Sequence, residues 1–298
     1  MLNQKVKSHF NIFFIYLLWP FLSLILAIKH YRSTWAKNIV WLFIIFYGFT
    51  FTIINEGSDI NRYIDRFIVL ANSELTFFQF WGLLYAEGGT YLDIVQPLMS
   101  FILSSLTENK NILMASMGFI FGYFYSRNIW YLLDRSGNYI KKQAIPFLIL
   151  FIIIVGFWQM NGFRFWTAAH VFLYGALPYV LEGNKKYLWV AISSILFHFS
   201  FIFAVGVLLI YLLLGNRIVL YFFLLIGSLF ISEIVIDFTK DALSVLPDIF
   251  QEQTSNYVSE SYIQQREKAV SQDNWYVQIY GKALKFSLMG LLSVIFFK

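Results

Sequence analysis

The sequence contains no cysteine, few charged residues and no histidines spaced as metal ligands. Without a thiol, the 298-residue chain can form no disulfide, no thiolate nucleophile and no Cys-ligated metal site. Its four histidines stand at positions 9, 30, 170 and 198, too far apart in sequence for a local metal-binding motif. The sequence therefore predicts neither a metal ion nor a cofactor.

Charge is scarce because 59% of the residues are apolar and only 13% are charged, whereas roughly a quarter are charged in a typical soluble protein. Apolar runs of about 16 to 22 residues recur along the chain and leave no segment long enough for a soluble domain. The net charge of +5 arises from Lys and Arg between these runs, so nucleic-acid binding is not predicted. We predict one integral membrane domain over residues 1–298.

The apolar runs predict an all-α, polytopic fold with about nine spans, two of them broken or re-entrant hairpins. Leu75–Tyr85 and Leu92–Leu106 are each too short to cross a bilayer alone and form one predicted hairpin. Tyr187–Leu214 is long for one span, and His198 in its middle predicts a break between two short helices. The continuous spans are predicted at Phe10–Ile28, Asn38–Ile54, Ile112–Leu133, Ala144–Trp158, Phe163–Leu181, Ile218–Ile236 and Val277–Phe297.

The basic residues of four short loops favour a cytoplasmic location for those loops, by the excess of positive charge on that side. The polar residues around Asp59, Arg164 and the 237–276 loop then face outward. The 237–276 segment is thus predicted to be an extracytoplasmic loop. It is either a surface helix over the membrane face or a flexible solvated loop.

A polar stretch, Asn55–Arg66, follows a long apolar run and is unusual for its charge. If a helix begins near Ser58 or Asp59, then Asp59, Arg62 and Arg66 fall on one face. The two guanidiniums could bind an anionic head group, and the carboxylate could act as a base. The alternative is a charged turn that anchors a span in the head-group layer.

Four further side chains stand out against the apolar background. Arg164 lies at a junction of two predicted spans, where it either binds phosphate or serves as an anchor. Glu87 separates two short apolar helices and is either a buried acid or part of a solvated turn. His198 is either a proton acceptor or a hydrogen-bonded core residue. His170 lies inside an apolar helix, where packing is the favoured interpretation.

Four stretches, in this order, resemble the Wzy-type bacterial polysaccharide polymerases, in particular the EpsG-like branch. A Gly-x-Asp element with a following Tyr, a Glu-x-Gly element with an aromatic, an Arg-x-x-x-Ala element and a His-x-Ser element carry the resemblance. In this chain they are Gly57–Tyr63, Glu87–Tyr91, Arg164–Ala168 and His198–Ser200. Members of such families often continue with further spans, so the end at Lys298 is compatible with a truncated chain.

The resemblance implies a metal-independent glycosyltransferase of the bacterial cytoplasmic membrane that polymerises undecaprenyl-diphosphate-linked oligosaccharide repeats, as in O-antigen or capsule, on the outer face. Lipid-linked oligosaccharide and membrane lipids are the implied partners, together with a chain-length regulator. The implied catalytic candidates are Asp59, Glu87 and His198, with the base left open among them. The implied substrate-binding residues are Arg62, Tyr63, Arg66 and Arg164.

Three other classes of function stay open at the level of sequence. A transporter or flippase of lipid-linked sugars would use buried charges along an alternating path, although no internal halves are evident. A membrane acyltransferase would use His198 as the base on an acyl donor. A structural membrane component would need none of the charged residues beyond stability.

Overall fold

The computed structural model describes residues 11–52, 59–84, 93–135, 152 and 155–224. Within these residues the protein is helical, without strands, as the apolar runs predict. The chain divides into two compact units, residues 1–215 and 216–298, and in the second only 216–224 are described. The α-helices with defined bounds are α1 (Pro20–Lys29), α2 (Ala36–Phe49), α3 (Asp59–Ala71), α4 (Phe77–Leu84), α5 (Val95–Ser104), α6 (Lys110–Arg135), α7 (Phe163–Glu182), α8 (Lys186–Ser193) and α9 (Phe201–Leu214). Residues 11–18 and 218–224 are also helical.

Several predicted helices and breaks are confirmed. The predicted spans Ile112–Leu133 and Phe163–Leu181 correspond closely to α6 and α7. The predicted break near His198 is present, because α8 ends at Ser193, a 3-10 turn follows, and α9 begins only at Phe201. The two short helices on either side of Glu87 are also present, as α4 and α5.

The first apolar run differs from the continuous span that its composition predicts. Residues 11–18 are helical, the helix is interrupted at Trp19, and α1 begins with Pro20 at its first position. Proline lacks a backbone N–H and is well suited to the first turn of a helix, where that donor has no intrahelical partner. The proline therefore starts a new helix within the apolar run.

Membrane crossing was predicted from composition. Among the helices in the described ranges, none combines the length and the hydropathy of a bilayer span. Glu87, the 237–276 loop and the predicted span Val277–Phe297 lie outside the described residues, as do most of Ala144–Trp158 and Ile218–Ile236. The single membrane domain and its topology stay predictions.

The core of the first unit lies where α2 crosses α6. Ile44 of α2 and Met117 and Phe121 of α6 are fully buried there. Gly118 allows this close approach, since a Cβ at that position would lie 2.7 Å from the carbonyl oxygen of Ile44. Gly122, one turn along the same face, meets the Ile44 side chain. The spacing of two glycines four residues apart lets the two backbones pack closely.

Gly118→Ala is expected to lower the free energy of unfolding by about 1–3 kcal/mol, the usual cost of forcing an extra carbon into a packed interface. The matched control is Gly206→Ala in α9, where a Cβ meets no atom within 4 Å. That change should raise stability slightly, because alanine favours a helix more than glycine does. Thermal unfolding of both purified variants measures the contrast, and equal shifts for the two would contradict the close crossing.

Candidate active site

The first turn of α3 carries the polar stretch singled out in the sequence. The helix begins at Asp59, which forms an ion pair with Arg62 three residues later. Both side chains are more than half exposed, whereas Ile60 and Phe67 on the opposite face are fully buried. The predicted helix start is therefore confirmed, and a carboxylate and a guanidinium lie together on its accessible face.

Tyr63 lies one turn along α3, and its side chain is buried. It belongs to the same core cluster as Phe163, the first residue of α7 and the neighbour of Arg164. Burial raises the pKa of Tyr63 to about 12, so the phenol stays protonated.

Arg164 lies in the first turn of α7, and a buried acid holds it there. Its guanidinium forms an ion pair with Asp93, whose side chain is 1% exposed, whereas that of Arg164 is 26% exposed. The buried Nε of Arg164 has no hydrogen-bond partner. No side chain caps the start of α7 at Gly162, so helix and guanidinium together provide positive charge and N–H donors for an anion.

Asp93 also binds the turn that carries His198. Its Oδ1 accepts a hydrogen bond of 2.9 Å from the backbone N–H of Phe199, 106 residues away in sequence. Both carboxylate oxygens are therefore used, one by the guanidinium of α7 and one by the backbone before α9. A single buried group thus connects the two elements.

The hydrogen bonds of His198 indicate which ring nitrogen carries the proton. Its Nδ1 lies 2.8 Å from the hydroxyl of Ser200 and 3.3 Å from the backbone nitrogen of Ser200. A backbone N–H can only donate, so Nδ1 accepts, and the neutral ring carries its proton on Nε2. In this arrangement His198 offers a hydrogen-bond donor at Nε2.

These groups converge although they come from three different parts of the chain. Asp93 joins Arg164 to the backbone beside His198, and the ring of Phe165, the neighbour of Arg164, lies 5.5 Å from the His198 ring. Asp59 and Tyr63 on α3 are near enough for charge interactions with these groups. We refer to Asp59, Tyr63, Arg164 and His198 as the convergent site. Of the other predicted site residues, Glu87 lies outside the described residues, and Arg66 faces a neighbouring cleft.

That cleft lies between α3, α4 and α5 and has a volume of about 380 Å³. Apolar side chains line most of it, including Val69, Leu83 and Phe80. Asp65 and Arg66 belong to its polar part and follow Tyr63 on the same helix by less than one turn. Its volume falls within the roughly 300–1,000 Å³ typical of ligand sites.

Sequence reasoning missed Asp93. The available signal was a lone acid inside the apolar run Leu92–Leu106, because an isolated ionisable residue among apolar neighbours is usually paired and functional. The packing interpretation of His170 is confirmed, since this side chain is fully buried. Its ring Nδ1 and its backbone carbonyl both contact the Asn128 amide.

Among the residues that the structure describes, no three His, Cys, Asp or Glu side chains are grouped so that they could hold a metal ion. The convergent site instead combines a guanidinium, a carboxylate, a phenol and an imidazole. Metal independence stays a prediction.

A helical protein with these four groups at one site is equipped to bind an anionic substrate and to exchange protons with a hydroxyl. The chain belongs to the EpsG family, whose model matches residues 38–298. This is a family of Wzy-type polysaccharide polymerase-like proteins, so the resemblance seen in the sequence is confirmed. Membership indicates a polysaccharide polymerase-like role. No curated protein and no solved structure matches the chain.

Proposed function

We propose that this protein is a membrane glycosyltransferase that polymerises oligosaccharide repeats carried on undecaprenyl diphosphate. It transfers the growing glycan from one lipid diphosphate to a sugar hydroxyl of another lipid-linked repeat. The reaction takes place on the outer face of the bacterial cytoplasmic membrane. Family membership supports the polymerase-like class, and the convergent site supports this chemistry.

The observation that carries the proposal is the link that Asp93 makes between Arg164 and the backbone beside His198, with Asp59 close enough for its charge to act on the same ring. A diphosphate-linked donor requires positive charge at the leaving group, and an acceptor hydroxyl requires a base. Arg164 supplies a fixed guanidinium that is partly exposed, and Asp59 supplies an exposed carboxylate. The site thus contains a group for each requirement.

The proposed transfer assigns one role to each group. The acceptor oxygen forms a bond to the anomeric carbon as its proton passes to the carboxylate of Asp59. The bond from that carbon to the diphosphate oxygen breaks, and its electron pair leaves with the diphosphate. Arg164 offsets the charge that develops there. The Nε2–H of His198 donates a hydrogen bond to a substrate oxygen, and the buried, neutral Tyr63 packs beneath the site.

Among the described candidates, the hydrogen bonds favour Asp59 over His198 as the base. The Nδ1 of His198 already accepts from the backbone of Ser200, and its Nε2 carries a proton. The carboxylate of Asp59 pairs with Arg62 and keeps half of its surface exposed, so an acceptor hydroxyl can reach it.

The surface of the protein supports the proposed membrane location. Large apolar side chains are widely exposed, with Phe78 of α4 at 86%, Trp189 of α8 at 73% and Leu213 of α9 at 84%. Extensive exposed apolar surface marks contact with lipid or another protein. Acyl chains of the membrane would cover these side chains.

The cleft beside the convergent site suits the lipid part of the substrate. Its apolar lining would bind a polyprenyl chain, and Arg66 among its polar residues would attract a diphosphate. Asp65 also lines the cleft, and it keeps that part of the site from being uniformly positive. The cleft would place the diphosphate within about one helical turn of Tyr63.

Purified protein in detergent tests the proposal directly. We expect it to convert undecaprenyl-diphosphate-linked repeats of the producing strain into longer lipid-linked glycans, with release of undecaprenyl diphosphate. Products separated by length and identified by mass spectrometry would show the reaction. Lipid-linked repeats that stay unextended in detergent, but cross the bilayer of proteoliposomes carrying the protein, would overturn the proposal in favour of a flippase.

The same assay tests the cleft. Leu83→Trp places a bulky ring in the cleft at a position that is already 56% exposed, so the fold should tolerate it. We expect polymerisation to fall at least about tenfold, because a small misplacement of bound substrate already has such an effect. Leu213→Trp makes the same change on α9 and should retain activity. Equal activity in the two variants would exclude the cleft as the lipid site.

A further inference from the structure

The buried carboxylate of Asp93 contacts two parts of the convergent site at once. Oδ2 pairs with the guanidinium of Arg164, and Oδ1 accepts the backbone N–H of Phe199, the neighbour of His198. We propose that Asp93 is a positioning residue that holds Arg164 and His198 in one fixed arrangement. The expected effect of Asp93 on glycosyl transfer rests on the proposed function.

The burial of Asp93 separates its role from that of a catalytic group. At 1% exposure its carboxylate cannot reach a substrate, whereas Arg164 keeps about a quarter of its side chain accessible. Asp93 therefore acts through Arg164, by fixing the direction in which the remaining guanidinium N–H groups point. A long arginine side chain loses much rotational freedom when it binds a ligand, and prior fixation reduces that cost.

A carboxylate is needed at this position because the two contacts differ in kind. The backbone N–H of Phe199 requires only an acceptor, which an amide oxygen could provide. The guanidinium of Arg164 requires a negative charge, because a buried charge is tolerated when it is paired. Asparagine should thus preserve the first contact and weaken the second, whereas alanine removes both.

The contact with Phe199 determines where His198 lies. The residues between the 3-10 turn Ser194–Leu196 and α9 form a short connection, and Phe199 itself is 7% exposed. A hydrogen bond shielded from water in this way contributes more to order than one at the surface. Loss of Oδ1 should release the connection and change the access of reagents to the imidazole.

Chemical labelling tests the second contact without any need for catalysis. Diethyl pyrocarbonate modifies accessible neutral histidines, and mass spectrometry reports each site separately. In Asp93→Ala we expect labelling of His198 to rise by about tenfold, because a lost buried hydrogen bond permits local opening. The buried His170 and the exposed His30 serve as internal references and should not change.

Asp93→Asn tests the two contacts separately. Labelling of His198 should stay within about twofold of the wild type because the amide still accepts from Phe199. Polymerisation should nevertheless fall by about ten- to a hundredfold, the rate equivalent of one hydrogen bond to a charged group. Asp134→Asn, the same change at an exposed acid of α6, is the matched control and should retain wild-type values.

Combination with Arg164→Lys shows whether Asp93 acts through Arg164. If it does, Asp93→Asn and Arg164→Lys together lose less activity than the product of their separate losses. If the two losses multiply, or if Asp93→Asn keeps full activity, Asp93 does not position Arg164. If labelling of His198 is unchanged in Asp93→Ala, Asp93 does not position the turn that carries His198. If neither the wild type nor any variant polymerises, the proposed function fails. The labelling contrast still shows whether Asp93 positions the turn that carries His198.

Discussion

Arg164→Ala is expected to abolish long-chain glycan while the unit repeat is still made. Removal of one preorganised donor to developing negative charge usually reduces a rate by about a hundred- to a thousandfold. Arg164 also pairs with buried Asp93, so its loss leaves an uncompensated charge and lowers stability by about 3–5 kcal/mol. The glycan ladder of cells that carry the variant, compared with the amount of folded protein, measures both effects.

A double variant separates the loss of chemistry from the loss of stability. Asp93→Asn combined with Arg164→Gln replaces the ion pair by a neutral pair, and removal of both charges together avoids the unpaired carboxylate. We expect this protein to accumulate at near wild-type levels and to remain inactive. Long-chain glycan made at a normal rate by the double variant would show that Arg164 has only a structural role.

His198→Ala is expected to lower the rate of polymerisation by about a hundredfold or more, whereas His198→Gln keeps a substantial part of it. The reason is that Nδ1 of His198 accepts from Ser200, so the ring presents an N–H at Nε2. The amide of glutamine also carries an N–H but cannot take up a proton. Kinetics of the purified variants on lipid-linked repeats measure the difference.

Variants of Asp59 test whether this residue is the base and His198 the hydrogen-bond donor. Asp59→Asn keeps the size of the side chain but loses the proton acceptor, so it should be as inactive as Asp59→Ala. His30→Ala, at an exposed histidine outside the convergent site, controls for general effects of losing an imidazole. If His198→Gln is as inactive as His198→Ala while Asp59→Asn remains active, the roles of base and donor are exchanged.

Local patterns predicted much of the fold. The predicted spans Ile112–Leu133 and Phe163–Leu181 lie within one or two residues of α6 and α7. The predicted helix start at Asp59 is equally close, because a carboxylate at the first turn interacts favourably with the N-terminus of a helix. Such signals reside in a few neighbouring residues and can be read without knowledge of tertiary contacts.

Two features of the helices were less visible in the sequence. The interruption at Trp19 depends on Pro20, which starts a helix inside an apolar run that composition alone treats as continuous. The close crossing at Gly118 depends on which face of α6 meets α2, and helical periodicity does not specify the partner. Both features depend on a single residue, Pro20 in one case and Gly118 in the other.

The sequence by itself determined the helical class, the family and the residue types of the candidate site. Arg164 and His198 stood out because charged and polar side chains are costly in an apolar chain and are retained mainly where they are paired or functional. The same reasoning indicated the charged residues in the first turn of α3. These conclusions needed only composition, spacing and the order of short motifs.

Only the tertiary structure assigned each group its partners. Asp93 accepts a hydrogen bond from the backbone of Phe199 across 106 residues, and its other oxygen pairs with Arg164 of α7. Such contacts arise from the packing of helices that are distant in sequence, and no local pattern encodes them. For this reason the sequence identified an arginine and a histidine, whereas the fold decided that one buried carboxylate fixes both.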